Sequence, residues 1–394
     1  MIRFFSVLWL FILLSCGHNV RCKTFHSLIE FEVIQSVNVK LSGSQYYHVT
    51  PNIFETDTAV MLFGLDPYAG KVDVYNLTSE EFLYSILLQK EGPHEVISPH
   101  ALYIHNPDSI YLMNDVNQLY LINQKGERLN IWNFDFNLPD SVLALDQAIT
   151  GAYIIAAYGK SEYLNLPFIY EKKDNAVMAR LLILNHHQGS EEYTLLYRTP
   201  NLIKIDLQTG QPVGFYGKYP AHFLKEPKPH NPFAHFAKVV DNTWVQFDSS
   251  DEIYWVEQDT FFCSRSLYAN NQVTVFSSEE VIDEEKELRA YHTDDAYVGI
   301  YYDPYRNLVY RVFQVGQPDK NPDGTLNHKL QAPFTVMILK PTGETIGEAV
   351  FEGSKYNFLD FFVTSQGVLM SKENSFNTEN EEELYSFDLI RFKL

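Results

Sequence analysis

The chain of 394 residues predicts an all-β fold: a single six-bladed β-propeller of four-stranded antiparallel blades. Three observations predict it. Six short segments alternate apolar and polar residues and each ends in a polar turn. Aromatic residues make up 15% of the chain and are spread along it, and such side chains suit the pleated surface of strands. Helical patterning is nearly absent, so nothing suggests a parallel sheet built from strand–helix alternation.

The chain opens with a basic Met1-Ile2-Arg3, followed by a run at 4–14 that is apolar except for Ser6. That run is shorter than the roughly 20 residues a membrane-crossing helix needs. It reads as a secretory signal occupying residues 1–15. The segment ends Leu13-Leu14-Ser15-Cys16-Gly17, which resembles the bacterial lipobox. The resemblance implies acylation of the Cys16 thiol and cleavage just before it. An ordinary signal cleaved nearer Cys22, in a secreted eukaryotic protein, is the rival reading; Asn76-Leu77-Thr78 would then be a glycosylation sequence. Gly17 rather than Asp follows the cysteine, which by resemblance points to the outer membrane, facing the periplasm. Residues 16–35 are expected to be a lipidated tether and 36–394 the propeller.

A strand at 31–41 is placed to complete the last blade and close the ring, which removes exposed strand edges. The six repeating segments lie at 72–77, 119–123, 202–207, 253–257, 336–340 and 384–389. Three run into Gly-containing turns, at Gly126, Gly210 and Gly343, where glycine supplies positive φ. Their polar markers Asn76, Asn123, Asp206, Glu257, Lys340 and Asp388 are spaced by 47, 83, 51, 83 and 48 residues. Propeller blades run about 40–50 residues. The two long intervals either hide a blade each, giving eight, or are single blades with long loops. Residues 158–176 and 316–333, rich in polar residues, Gly or Pro, read as insertions and favour six. A short acidic surface helix is expected at 278–289.

The formal net charge of −20 argues against nucleic acid as a partner, because the surface repels phosphates. The cysteines are Cys16, Cys22 and Cys263. They have no zinc-type spacing, and with Cys16 acylated the other two are expected to remain unpaired thiols unless the tether folds back. No cofactor is expected, and the propeller is expected to be a monomer.

Several stretches together resemble one family: 62–66 leading to 74–77, Lys90-Glu91-Gly92-Pro93, 110–112 through Gly126, and 302–306 with Tyr310-Arg311. They are similar to bacterial lipoproteins of the TolB-like six-bladed propeller class, domain of unknown function 4221. The resemblance implies fold and location and brings no catalytic residues.

The candidate ligand-loop residues are Glu91, His222, His230 and His235. Glu91-Gly92-Pro93 reads first as a structural turn. The three histidines lie in a Pro- and aromatic-rich stretch whose spacing matches no helical metal motif, so a binding or packing loop is expected there rather than a metal site. Asp115 with Asn117, Asp146, and Asp294-Asp295 could contribute calcium ligands, but no spaced calcium loop appears. Arg306 and Arg311 are expected to pair with carboxylates. No nucleophile elbow, phosphate loop or dinucleotide fingerprint is present. The expected function is an envelope-anchored binding or scaffold propeller whose ligand is a peptide, glycan or protein. The alternative is a hydrolase or lactonase-like enzyme with a central metal.

Overall fold

The computed structural model describes residues 22, 27–42, 49–114, 116–134, 138–145, 149–154, 168–185, 197–225, 228–229, 234–276, 284–379, 381 and 383–394. Strand β1 (Phe31–Lys40) comes first in the chain but belongs to the last blade. Blade 1 is β2 (Val49–Glu55), β3 (Val60–Asp66), β4 (Lys71–Asn76) and β5 (Glu81–Leu87). Blade 2 is β6 (Ala101–Asn106), β7 (Ser109–Met113), β8 (Gln118–Ile122) and β9 (Arg128–Asn133). A single-turn helix, α1 (Asp140–Leu143), follows.

In blade 3 the first-strand position is shared by β10 (Ile149–Ile154) and β11 (Phe168–Glu171), which pair with successive halves of β12 (Ala176–Asn185). β13 (Leu202–Asp206) and β14 (Pro212–Tyr216) complete it. The short strand β15 (Lys228–Pro229) then precedes blade 4, which is β16 (Ala234–Val239), β17 (Asn242–Phe247), β18 (Glu252–Trp255) and β19 (Thr260–Cys263). β20 (Val275–Phe276) pairs with β15. Helix α2 (Glu284–Thr293) leads to blade 5, which is β21 (Ala296–Asp303), β22 (Leu308–Gln314), β23 (Phe334–Leu339) and β24 (Thr345–Phe351). Blade 6 is β25 (Asn357–Val363), β26 (Val368–Ser371), β27 (Leu384–Phe392) and β1.

All six repeating segments are the third strands of their blades: β4, β8, β13, β18, β23 and β27. The glycines of the three turns have positive φ, +76° at Gly126, +68° at Gly210 and +86° at Gly343. At Gly126 a Cβ would also stand 2.4 Å from the Leu87 carbonyl, so no side chain fits. Middle strands read as nearly unbroken apolar runs because blades pack face to face and bury both sides. Every residue of β22 and of β23 is buried.

Six apolar clusters join successive blades around the ring. One packs Phe63 and Val74 of blade 1 against Leu102 and Ile110 of blade 2. The last packs Leu369 and Phe387 of blade 6, with Val37 and Val39 of β1, against Leu62 and Tyr75 of blade 1. The ring closes at six, and both long intervals are single blades. Between β22 and β23 lies the insertion expected at 316–333. Of the insertion expected at 158–176, residues 168–171 are strand β11 and 155–167 lie outside the described residues.

β1 pairs antiparallel with β27 from Phe31↔Phe392 to Lys40↔Leu384, as expected for closure. Three expectations need correction. The folded body starts ahead of residue 36, since β1 begins at Phe31 and Leu28 already bridges to Glu348. The acidic helix runs past its expected end at 289, being described over Glu284–Thr293, while residues 278–283 lie outside the described residues. Cys22 and Cys263 are joined in a disulfide, with Cα atoms 5.0 Å apart. The N-terminal segment does fold back: it is fixed at the end of β19, then hydrogen-bonded at Ser27 and Ile29 to Glu348 of β24, before entering β1.

Candidate functional site

Two kinds of segment shape the ground around blade 4. One is the set of connectors that carry the chain between blades. The other is the turn from β17 to β18. Together they border a cleft of about 1060 Å³. The connector from blade 3 supplies Pro220, His222 and Lys225, the β17–β18 turn supplies Asp248 and Asp251, and β18 opens with Glu252. Tyr297 and Phe313 of blade 5, Phe261 of β19 and Cys22 complete much of the wall.

The carboxylates of this cleft are held in place by specific donors. Asp251 accepts from the Tyr297 hydroxyl at 2.6 Å and from Arg265 Nη1 at 2.9 Å. Asp295 accepts backbone N–H groups of Asn270, Gln272 and Gly316 at 2.7, 3.2 and 2.7 Å. Glu252 lies 3.3 Å from Nδ1 of the half-exposed His222. Asp248 leads inward to a buried chain of groups.

That chain joins blades 3 and 4. Arg180 of β12 and His235 of β16 are both buried, and Arg180 Nη2 lies 3.2 Å from His235 Nδ1. A guanidinium can only donate, so Nδ1 accepts and the imidazole proton sits on Nε2. Nε2 in turn lies 2.9 Å from Asp248 Oδ1. Burial pushes the His235 pKa below its ordinary value, against the pull of Asp248, which keeps the ring neutral. Burial also lowers Arg180 to about 10, with Asp248 opposing. Arg180 Nε has no hydrogen-bond partner among the described residues. Buried cations are ordinarily paired with a carboxylate, and this one rests on a neutral imidazole.

The chemistry open to this arrangement is limited. A histidine acting as a general base needs one nitrogen free for the nucleophile's proton. Here Asp248 and Arg180 occupy both. Among the described residues no group of three or more His, Cys, Asp or Glu side chains is placed to hold a metal ion.

The expected site residues separate. His222 and His235 both belong to this region, one on the cleft wall and one behind it. His230 lies outside the described residues, as do Cys16, Asp115 and Asp146. Glu91 is an exposed turn residue in the link from blade 1 to blade 2, apart from the cleft. Its neighbour Gly92 has φ +92°, and Arg128 holds the turn by donating to the Pro93 and Glu95 carbonyls at 2.9 and 2.6 Å. Asp294 and Asp295 tie loops together: Asp294 accepts the backbone N–H and the hydroxyl of Thr274. Asn117 sits in a turn with φ +60°.

Arg306 pairs with Asp303 at 2.7 Å as expected. Arg311 does not take a carboxylate. It donates to Gln246 Oε1 at 3.0 Å and to the carbonyls of Ser250, Asp251 and Ser264, and it stacks on the Tyr297 ring at 3.4 Å. Buried backbone carbonyls at the blade 4–5 seam needed donors, and the guanidinium fork supplies them.

The sequence reading missed Arg180 and Asp248. Arg180 carried a usable signal: it is the one charge in the apolar run Ala176-Val177-Met178-Ala179-Arg180-Leu181-Leu182. A further missed group is Asp360 on β25, whose pKa burial pushes up to about 7.

The chain is similar to a crystal structure of a DUF4221 family member from Bacteroides vulgatus ATCC 8482, with a TM-score of 0.72 and 20% identity over 93% of this chain and 99% of that one. A second solved structure is a protein of Bacteroides fragilis NCTC 9343 whose name describes it as exported. It aligns at a TM-score of 0.49 and 13% identity, over 92% of this chain and 96% of its own. No curated protein matches. The model of the domain of unknown function DUF4221 matches residues 40–337, and the chain belongs to that family.

Proposed function

We propose that this protein is an exported, lipid-anchored binding propeller of the bacterial cell envelope. In this reading residues 1–15 are removed, Cys16 carries the lipid, and the propeller sits on the periplasmic side of the outer membrane. A peptide, glycan or envelope protein is bound at the cleft beside blade 4. The observation that carries the binding role is Arg180, a buried cation resting on neutral His235, with Asp248 linking that pair to the cleft wall. Sites that break an ordinary rule of burial are where function is first sought. Export is supported by the Cys22–Cys263 disulfide, since such bonds persist in oxidising compartments and are rare in the cytosol. Lipid anchorage fits a chain in which no helix among the described residues is long and apolar enough to cross a membrane.

One experiment addresses both parts. Native mass spectrometry of the protein extracted gently from its own envelope reads the N-terminal modification and any retained ligand. The expected result is a mature chain beginning at acylated Cys16, with a bound species that is lost in Arg180→Met. An unmodified Cys16, or cleavage beyond it, removes the anchor. A bound species kept equally by Arg180→Met removes the assignment of the cleft.

A further inference from the structure

A lipid tether normally lets a domain tumble, because the linker between lipid and body is long. The disulfide changes that arithmetic here. Cys22 is fixed to Cys263, the last residue of β19, the outermost strand of blade 4. Only residues 17–21 separate Cys16 from that point. At about 3.3–3.6 Å per residue, a fully extended chain from Cys16 reaches roughly 20 Å to Cys22. Without the disulfide the first fixed points among the described residues are Ser27 and Ile29, hydrogen-bonded to Glu348 at 3.0 and 2.9 Å. The same reckoning then gives a reach of roughly 40 Å. The attachment also moves from blade 4 to β24 of blade 5.

We propose that the Cys22–Cys263 bond shortens the lipid tether to a leash about half as long and so makes the outer edge of blade 4 the membrane-facing edge of the propeller. The inference rests on the acylation of Cys16 proposed above. Its partner surface is the lipid bilayer itself. Two observations support it: the length of chain between Cys16 and the fixed residue, and the separate pinning of residues 27 and 29 to β24 of blade 5. Cys22 also lines the cleft, so the cleft opens within the leash's reach of the bilayer. A ligand for it would be met close to the membrane surface. Blade 1, three blades away around a ring of six, faces away from the bilayer.

The test uses the full lipidated protein reconstituted in phosphatidylcholine vesicles that carry an acceptor dye on a lipid headgroup. A donor dye is attached through a non-natural residue at one of two exposed positions, Thr260 at the start of β19 in blade 4 or Glu81 at the start of β5 in blade 1, both on the outermost strands of their blades. Energy transfer is expected to be at least twofold stronger from position 260 than from 81. In the Cys22→Ser/Cys263→Ser double variant, or after reduction, the two are expected to converge. Equal transfer from both positions in the oxidised protein overturns the proposal, and so does a difference that reduction leaves unchanged. The oxidised comparison needs no variant, so it stands even if the double variant folds poorly. Failure of the underlying reading looks different: a chain without lipid on Cys16, seen by mass, does not stay on the vesicles at all.

Discussion

Two buried arginines in neighbouring seams show how the same residue type serves different ends. Arg311 donates to Gln246 and to three carbonyls and lies over Tyr297, so its charge is spread across groups that need donors. Among the described residues Arg180 makes one hydrogen bond, to His235, and its Nε is unpartnered, with Asp248 acting on its charge from beyond the imidazole. Removing a donor from buried acceptors costs stability, while replacing an ill-paired buried charge with an apolar side chain of similar size is often neutral or stabilising. Arg311→Met is therefore expected to lower unfolding stability by about 3–5 kcal/mol. Arg180→Met is expected to leave it unchanged or raise it by about 1–2 kcal/mol. Urea melts of the two variants decide this, and a large loss in Arg180→Met would make that arginine a structural clamp like Arg311. At this scale the sequence was only partly readable. His222 and His235 stand out as histidines in an aromatic loop, but their partners Glu252 and Asp248 lie at another turn of an acidic chain. Nothing local distinguishes those two carboxylates from the rest.

At the scale of elements, β1 carries the most consequence for its length. Its register with β27 runs from Phe31↔Phe392 to Lys40↔Leu384, and its Val37 and Val39 enter the cluster that joins blade 6 to blade 1. Deleting residues 31–41 is expected to abolish cooperative unfolding of the whole ring, because β27 is left as an open edge and the seam between first and last blades loses its apolar contacts. A single urea transition at an unchanged midpoint in the deletion protein would show that β1 is dispensable. This strand was legible because an apolar-alternating segment at 31–41 stands ahead of the first blade and has no neighbour there, while β25, β26 and β27 make only three strands of blade 6. The third strands were legible because they combine alternation with a turn. First strands were harder to see. Blade 3 splits its first-strand position between β10 and β11, and no periodicity in sequence announces two short strands sharing one neighbour.

The whole molecule is a ring whose six seams are apolar and whose N-terminal segment is tied to it in more than one place. The hydrogen-bonded pairing of β1 with β27 joins blade 6 to itself, and the Cys22–Cys263 bond joins the N-terminal segment to blade 4. The second link was not legible from composition, since three cysteines, one of them assigned to lipid, do not reveal which thiols meet. Its reach only becomes visible once Cys22 lies on blade 4, Ser27 and Ile29 on blade 5 and β1 in blade 6. The bond spans 241 residues of sequence, so in the chain-entropy account it restricts the unfolded state strongly, by up to about 5 kcal/mol. Because the link acts on the unfolded chain, it should shift the stability of the whole ring without dividing it. Reduction, or the Cys22→Ser/Cys263→Ser pair, is expected to lower the urea midpoint while tryptophan fluorescence and far-ultraviolet circular dichroism still report one coincident transition. The four tryptophans include Trp132 in blade 2 and Trp244 in blade 4, so fluorescence samples separate parts of the ring. An early transition confined to one probe would instead mean that blade 4 unfolds independently once its link to the N-terminal segment is cut.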